Sequence, residues 1–230
     1  MRSKRNFLIV VILVLIGIIA YWNYEVNPKE FPNEEFLITN MNGYHPKDKI
    51  VKILDTIELD NRHVFVPYLS TNEHYGVSYW IKEKFGWKMA KMDTRGEPHI
   101  WKLKAKDPST YYIVWNIDPK DQVSYLDYYL ISERNASLSM EKSLYTPRIQ
   151  KQMTISMKES PYGILRMPEE WSNIYRNVIS NNNLYMGWIP YDKQDKVVFP
   201  KLSVNGSGYL RSNIELDFMR ILNEMDLEMP

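Results

Sequence analysis

The sequence of 230 residues contains no cysteine and carries a net charge of only +1. Without cysteine the chain cannot form a disulfide, a thiolate metal site or a thiol nucleophile, so packing alone has to stabilise it. The near-zero charge offers no basic face of the kind that neutralises phosphates, so no nucleic-acid partner is expected. A hydrophobic content of 44% and a charged content of 25% are typical of a globular domain with a core.

Linear catalytic motifs are missing as well. The chain has no G-x-S-x-G nucleophile elbow, and its nearest glycine cluster, Gly206-Ser207-Gly208, lacks the P-loop lysine and the Rossmann spacing. We interpret this cluster as a turn and expect no cofactor.

The histidines do not indicate a metal site. No two of them are three to five residues apart, so neither a helical nor a hairpin zinc pair is present in His45, His63, His74 and His99. The alternative is a site formed across strands by the pairs Glu73-His74 and Glu97-Pro98-His99. We favour loop histidines at turn edges, and therefore no metal.

One uncharged run departs from the average composition. It extends from Phe7 to Trp22 and follows a basic segment, residues 1–6. A helix over 7–24 spans about 27 Å, close to the hydrocarbon thickness of a bilayer. The basic segment predicts a cytoplasmic N-terminus, a single-pass signal-anchor helix over 7–24 in contact with the lipid bilayer, and an extracytoplasmic C-terminal domain. The alternative is a cleaved signal peptide.

The remaining chain is predicted to comprise a stalk and one domain. Pro28 and Pro32 lie among charges, which favours a semi-extended stalk over 25–47. Residues 48–230 are then an extracytoplasmic domain. Avoidance of cysteine in an exported domain is typical of a bacterial cell-envelope protein.

The hydrophobic periodicity of this domain predicts an α+β fold. Apolar residues at helical spacing predict helices over 48–59, after Pro168, and from Ser212 to Met225. Between the first two helices the period changes to two, which predicts a long antiparallel β-meander over about 63–159. Its strands are 63–69, 75–84, 87–92, 99–105, 110–117, 122–132 and 148–159, and a short strand pair follows at 184–191 and 196–204.

Aromatic residues are dense in the stretch 111–132, which we interpret as a hairpin. Both faces of its strands carry large side chains, so we favour central strands whose rings form the core. The other interpretation is an aromatic platform that binds a sugar or an extended chain. Its candidate residues are Trp115, Tyr125 and Tyr129 as stacking surfaces and Asp127 as the polar anchor.

Two functional hypotheses follow. The first is a membrane-anchored binding or interaction protein of unknown ligand, whose partner is an envelope protein or a wall component. The alternative is an anchored hydrolase that acts on cell-wall glycan or peptide through the carboxylates of Asp93, Glu97, Asp127 or Glu133. Two of these in a deep cleft with mutually perturbed pKa values favour the hydrolase, whereas a shallow apolar patch with a polar rim favours binding.

Overall fold

A computed structural model describes residues 11–18, 30–44, 48–84, 86–138, 143–177, 184–210, 212 and 214–227. Its helices are α1 (residues 11–18), α2 (Glu34–Asn42) and α3 (Glu169–Asn177). The strands of this part of the chain are β1 (Ile50–Ile53), β2 (Ile57–Asp60), β3 (His63–Ser70), β4 (Tyr75–Glu83), β5 (Gly86–Asp93), β6 (His99–Lys102), β7 (Tyr111–Asn116), β8 (Tyr125–Ser132), β9 (Asn135–Leu138), β10 (Ser143–Thr146), β11 (Ile149–Ser156), β12 (Tyr162–Arg166), β13 (Leu184–Tyr191), β14 (Gly208–Leu210), β15 (Glu215–Phe218) and β16 (Arg220–Ile221).

The strands form three stacked sheets and one separate hairpin. The first sheet has the order β1-β3-β4-β5-β14 with β2 also on β3, the middle sheet β12-β7-β6-β15, and the third sheet β11-β8-β13-β16. Strands β9 and β10 pair only with each other within the described residues. The described pairs are antiparallel apart from the short parallel pair β13/β16.

Apolar side chains fill each interface between these layers. Helix α2 covers one face of the first sheet through Leu37, Met41, Tyr68, Trp80 and Met89. The first and middle sheets meet through Phe65, Val77, Tyr79, Trp101 and Val114. The middle and third sheets, together with α3, share the largest core, which contains Ile113, Trp115, Tyr128, Trp171 and Trp188. Strand β7 therefore packs on both of its faces, as its sequence predicted.

The meander prediction was partly wrong. The antiparallel neighbours β3, β4 and β5 follow one another as predicted, but the segment 63–159 is divided among three sheets. Strands β7 and β8 do not form a hairpin, because β7 lies between β6 and β12 whereas β8 lies between β11 and β13. The turn at Pro119–Asp121 carries the chain from the middle sheet to the third.

The predicted transmembrane helix over 7–24 requires correction. Within the described residues, no helix is both long enough and apolar enough to cross a membrane. The fold class with an N-terminal transmembrane helix and the single-pass localisation were therefore wrong. Residues 1–10 and 19–29, including the predicted cytoplasmic tail, lie outside the described residues.

Helix α2 lies inside the segment for which a semi-extended stalk was expected. Asn33 caps its start by accepting a hydrogen bond from the backbone N–H of Phe36 at 3.0 Å. Leu37 and Met41 are fully buried against the first sheet. Residues 30–44 thus include a packed helix that belongs to the domain.

Two of the predicted helices are strands. Residues 48–59 form β1 and β2, because Ile50 and Ile53 pack under α2 while Ile57 packs towards the middle sheet. Among the described residues of 212–225, Glu215–Phe218 form β15 and Arg220–Ile221 form β16, which complete the free edges of β6 and β13. Backbone pairing at those edges satisfies groups that a helix would leave unpaired in the sheets. The helix after Pro168 was predicted correctly and is α3, with Trp171 buried.

Candidate functional site

The structure separates one predicted site residue from the other three. Trp115 lies on β7, is 5% exposed, and its ring centroid is 5.9 Å from that of Tyr128. It belongs to the core between the middle and third sheets, so the core interpretation is confirmed for Trp115 and Tyr128. Tyr125, Asp127 and Tyr129 lie together on the other face of β8.

That face is the outer face of the third sheet, and its two ends differ. Around Tyr129 the C-terminal residues Leu222 and Leu227 cover it, since both belong to the cluster that contains Tyr129, Ile131 and Ile189. Leu222 lies against Gly187, and a Cβ added at Gly187 would overlap the Leu222 side chain. The other end carries a set of part-exposed or polar side chains that we call the open face, namely Tyr125, Asp127, Gln152, Thr154, Ser156 and Tyr191.

Asp127 forms the polar centre of this face. Its side chain is 6% exposed. It accepts hydrogen bonds from Gln152 Nε2 at 2.8 Å and from the hydroxyl of Thr154, both on the neighbouring strand β11. A further side-chain hydrogen bond joins it to Tyr129, and burial raises the pKa of that tyrosine, so its hydroxyl stays protonated. Asp127 therefore holds the surrounding donors in place and lies beneath the surface.

Two tyrosines stack beside this carboxylate. The rings of Tyr125 and Tyr191 are nearly parallel, with centroids 4.9 Å apart and an angle of 11° between their planes. Tyr125 Oη donates to Asp195 Oδ1 at 3.1 Å. Burial and that hydrogen bond raise the pKa of Tyr125 to about 12, which keeps the hydroxyl neutral. Tyr191 was not among the predicted site residues. Side chains alternate between the two faces along the strand 184–191, and Tyr191, opposite Tyr125, lies on the same face of the sheet as Tyr125.

A groove of about 590 Å³ opens next to Tyr125. This volume lies within the usual range for small-molecule sites, about 300–1,000 Å³. Asp127 and Tyr191 are not part of its lining: Asp127 is buried beneath it, and Tyr191 contacts it only through the ring of Tyr125. The groove is lined by Val123, Ser124, Tyr125, Thr154, Ser156, Met157, Lys158, Asp192, Lys193 and Asp195.

The four carboxylates of the hydrolase hypothesis do not form one site, because only Asp93 and Glu97 are neighbours. Asp93 and Glu97 are both buried near the segment 205–208. Burial and then the charge of Asp93 raise the pKa of Glu97 to about 7, while the backbone N–H of Asn205 donates to Glu97. Gly206 leaves room for Asp93, since a Cβ at that position would overlap the carboxylate. This accounts for one glycine of the cluster 206–208.

The fourth of those carboxylates is paired. Glu133 Oε2 lies 2.6 Å from Arg148 Nη1, and Glu133 Oε1 accepts from the Tyr185 hydroxyl at 2.9 Å. Arg148 also donates to the backbone oxygen of Asp226 at 2.7 Å. These contacts fasten the C-terminal segment to the third sheet, so Glu133 has a structural role.

The described histidines each have a local partner. His74 Nδ1 is 2.7 Å from Asp48 Oδ2, His63 Nδ1 is 2.8 Å from Asp60 Oδ1, and His99 Nδ1 is 2.9 Å from the backbone oxygen of Glu97. In the part of the chain that the structure covers, no three His, Asp or Glu side chains are placed together as metal ligands. His45 lies outside it.

Comparison with known proteins does not assign the chain to a family. No protein-family model matches the sequence, and neither the curated proteins nor the solved structures include a match. The functional argument therefore rests on the open face and its groove.

Proposed function

We propose that this protein is a binding protein whose ligand lies on the open face of the third sheet. The observation that carries the proposal is the ring of Tyr125, which lines the groove and is stacked on Tyr191, beside a buried carboxylate that holds its neighbours in place. An apolar ring surface with a few positioned polar groups is the usual composition of a ligand site. Of the four predicted binding residues, the proposal keeps Tyr125, which lines the groove, and Asp127, which lies beneath it.

The binding is best tested by amide chemical-shift mapping with a library of small aromatic and polyhydroxylated fragments. We expect hits to perturb the amides of 123–129, 154–158 and 191–195. Tyr125→Ala should abolish these perturbations, because it removes the ring that walls the groove. Tyr145→Ala is the matched control, since Tyr145 is 65% exposed on the hairpin that follows the far end of β8. Hits that map elsewhere, or that Tyr125→Ala leaves unchanged, would contradict the proposal.

A hydrolase is the second candidate, and the pair Asp93–Glu97 is the observation in its favour. A carboxylic acid with a pKa of about 7 is suited to general acid catalysis at neutral pH. The test is to incubate the protein with cell-wall glycan and peptide fragments and to measure newly formed reducing ends and amines. A hydrolase that uses this pair should release them, and Glu97→Gln should abolish the release. If neither product forms, or Glu97→Gln is fully active, this candidate is excluded.

A further inference from the structure

We infer that the ligand of the open face is a neutral, hydroxyl-rich saccharide chain, an inference that rests on the proposed binding function. Three features of the groove carry it: a fixed aromatic wall, hydroxyl groups whose hydrogen-bonding directions are set by the protein, and a lining whose charges cancel. Each is a property of the described residues.

The aromatic wall is held rigid from two directions. Tyr125 lines the groove, whereas Tyr191 does not line it and stacks against the Tyr125 ring. Asp195 holds the hydroxyl of Tyr125 through the hydrogen bond of 3.1 Å. A side chain that is already ordered loses little conformational entropy when a ligand binds. The flat apolar face of such a ring is complementary to the C–H face of a sugar ring.

The hydroxyl groups along the groove are oriented by their protein partners. Thr154 donates its proton to Asp127, and Tyr125 donates its proton to Asp195. The lone pairs of both oxygens remain for a ligand that donates. Ser156 Oγ accepts from the backbone N–H of Lys158 at 3.3 Å, which leaves its own proton for a ligand that accepts. Sugar hydroxyls do both, because each is at once a donor and an acceptor.

The charges on the groove lining balance. Lys158 and Lys193 oppose Asp192 and Asp195, so an ionic ligand gains no net attraction from the lining. Asp192 is in addition committed to its own turn, since Oδ1 accepts from the backbone N–H groups of Gln194 and Lys196 at 2.8 and 3.0 Å. A neutral ligand fits this balance.

The part of the groove floor that β8 provides offers an extended peptide no free strand edge. Peptides that add to a sheet gain affinity from main-chain hydrogen bonds to a free strand edge. Strand β8 lies between β11 and β13, so its backbone groups are used within the third sheet. The edge strand on this side is β11, which contributes to the groove lining through the side chains of Thr154 and Ser156. What the floor offers a ligand is side-chain hydroxyls and a ring, which is the recognition chemistry of saccharides.

The inference is tested by titrating the full chain with four probes under amide chemical-shift and calorimetric detection. These are a β-linked glucose hexamer, an N-acetylglucosamine hexamer, a polyanionic galacturonate hexamer and an uncharged Ser/Thr-rich peptide of similar length. We expect a neutral hexamer to bind at 123–129, 154–158 and 191–195 with an affinity that salt does not change. Tyr125→Phe should keep the ring and most of the affinity, whereas Tyr125→Ala should weaken binding about tenfold or more.

The possible results distinguish this inference from the proposed function. Binding of the peptide or the polyanion at the open face, with neither neutral hexamer bound, overturns the saccharide assignment and leaves the binding function standing. Neutral hexamers that bind away from the open face, or that bind Tyr125→Ala as tightly as the wild type, also overturn the assignment. If none of the four probes and none of the fragments perturbs the open face, both the inference and the proposed function are overturned.

Discussion

At the scale of single residues, tyrosines of this chain range from fully buried to largely exposed. Tyr128 is 0% exposed in the core between the middle and third sheets, and its hydroxyl has no hydrogen-bond partner. Tyr145 is 65% exposed. The same residue type thus contributes packing at one position and mostly contact with solvent at the other.

Tyr128→Ala should lower the free energy of unfolding by about 3–5 kcal/mol, because it leaves a cavity in a well-packed core. Tyr145→Ala should change it by no more than about 0.5 kcal/mol. Tyr128→Phe keeps the ring and removes a buried hydroxyl that has no partner, so it should preserve or raise stability. Urea unfolding of the three variants checks this order. Equal losses for the two alanine variants would show that Tyr128 is not a core residue.

Glu97 is the residue from which we expect a pH dependence of stability. Its folded-state pKa is about 7, raised from an ordinary value of 4.5, so the folded protein holds this proton more tightly than the unfolded chain does. The stability that this provides is fully present below pH 4.5 and is lost as the pH rises towards 7. Glu97→Gln should therefore show a smaller fall in melting temperature than the wild type over this interval. Identical pH profiles for the two proteins would contradict the assignment.

At the scale of elements, α2 shows why a polar-looking segment can be part of a core. Its buried residues Leu37 and Met41 are one turn apart, while Glu34, Glu35 and Phe36 are exposed. A single narrow stripe is enough to cover one face of the first sheet, because Tyr68, Trp80 and Met89 supply the rest of the apolar surface.

Leu37→Ala should cost about 2–5 kcal/mol in unfolding free energy, since the side chain is fully buried under the first sheet. The adjacent Phe36→Ala is the matched control: Phe36 is 49% exposed, and a surface change of this kind costs about 0.5 kcal/mol or less. Thermal melts of both variants give the comparison. A Leu37→Ala variant as stable as Phe36→Ala would mean that α2 does not pack on the domain in solution.

At the scale of the whole molecule, the sheets are joined by shared cores. The middle sheet packs on the first sheet with one face and on the third sheet with the other. Most ion pairs of the described residues have at least one exposed partner, and both are exposed in the pair of Lys151 and Glu170, 2.6 Å apart between β11 and α3. Such surface pairs contribute only about 0–1 kcal/mol each, so apolar packing between layers holds the molecule together.

Because the middle sheet takes part in two interfaces, we expect residues 30–227 to unfold as one cooperative unit. Circular dichroism of the backbone and fluorescence of the tryptophans should then give the same midpoint in urea. Trp80 reports on the first sheet, and Trp115 and Trp188 report on the core next to the third. Two separated transitions would show that the layers fold independently.

Local sequence patterns predicted the strands well where one face is apolar and the other polar. Strand β11 alternates Met153 and Ile155 with Gln152 and Thr154, and α3 carries Trp171 on its buried face. The same logic identified Trp115 and Tyr128 as core. In the segments 48–59 and 212–225 the apolar spacing fits both a helix and short strands. The helix prediction was wrong there, because these segments pair with the edges of strands that lie elsewhere in the sequence.

By itself, the sequence determined the absence of thiol chemistry, the largely antiparallel pairing, and the burial of the aromatic strand β7 on both faces. Only the tertiary structure decided which strands share a sheet, and therefore which side chains meet. Tyr125 and Tyr191 are far apart in the chain and become neighbours because β8 pairs with β13, whereas Trp115 is close to Tyr125 in sequence and lies in another layer. Side-chain parity depends on the strand alone, but contact across strands depends on pairing partners that local periodicity does not specify.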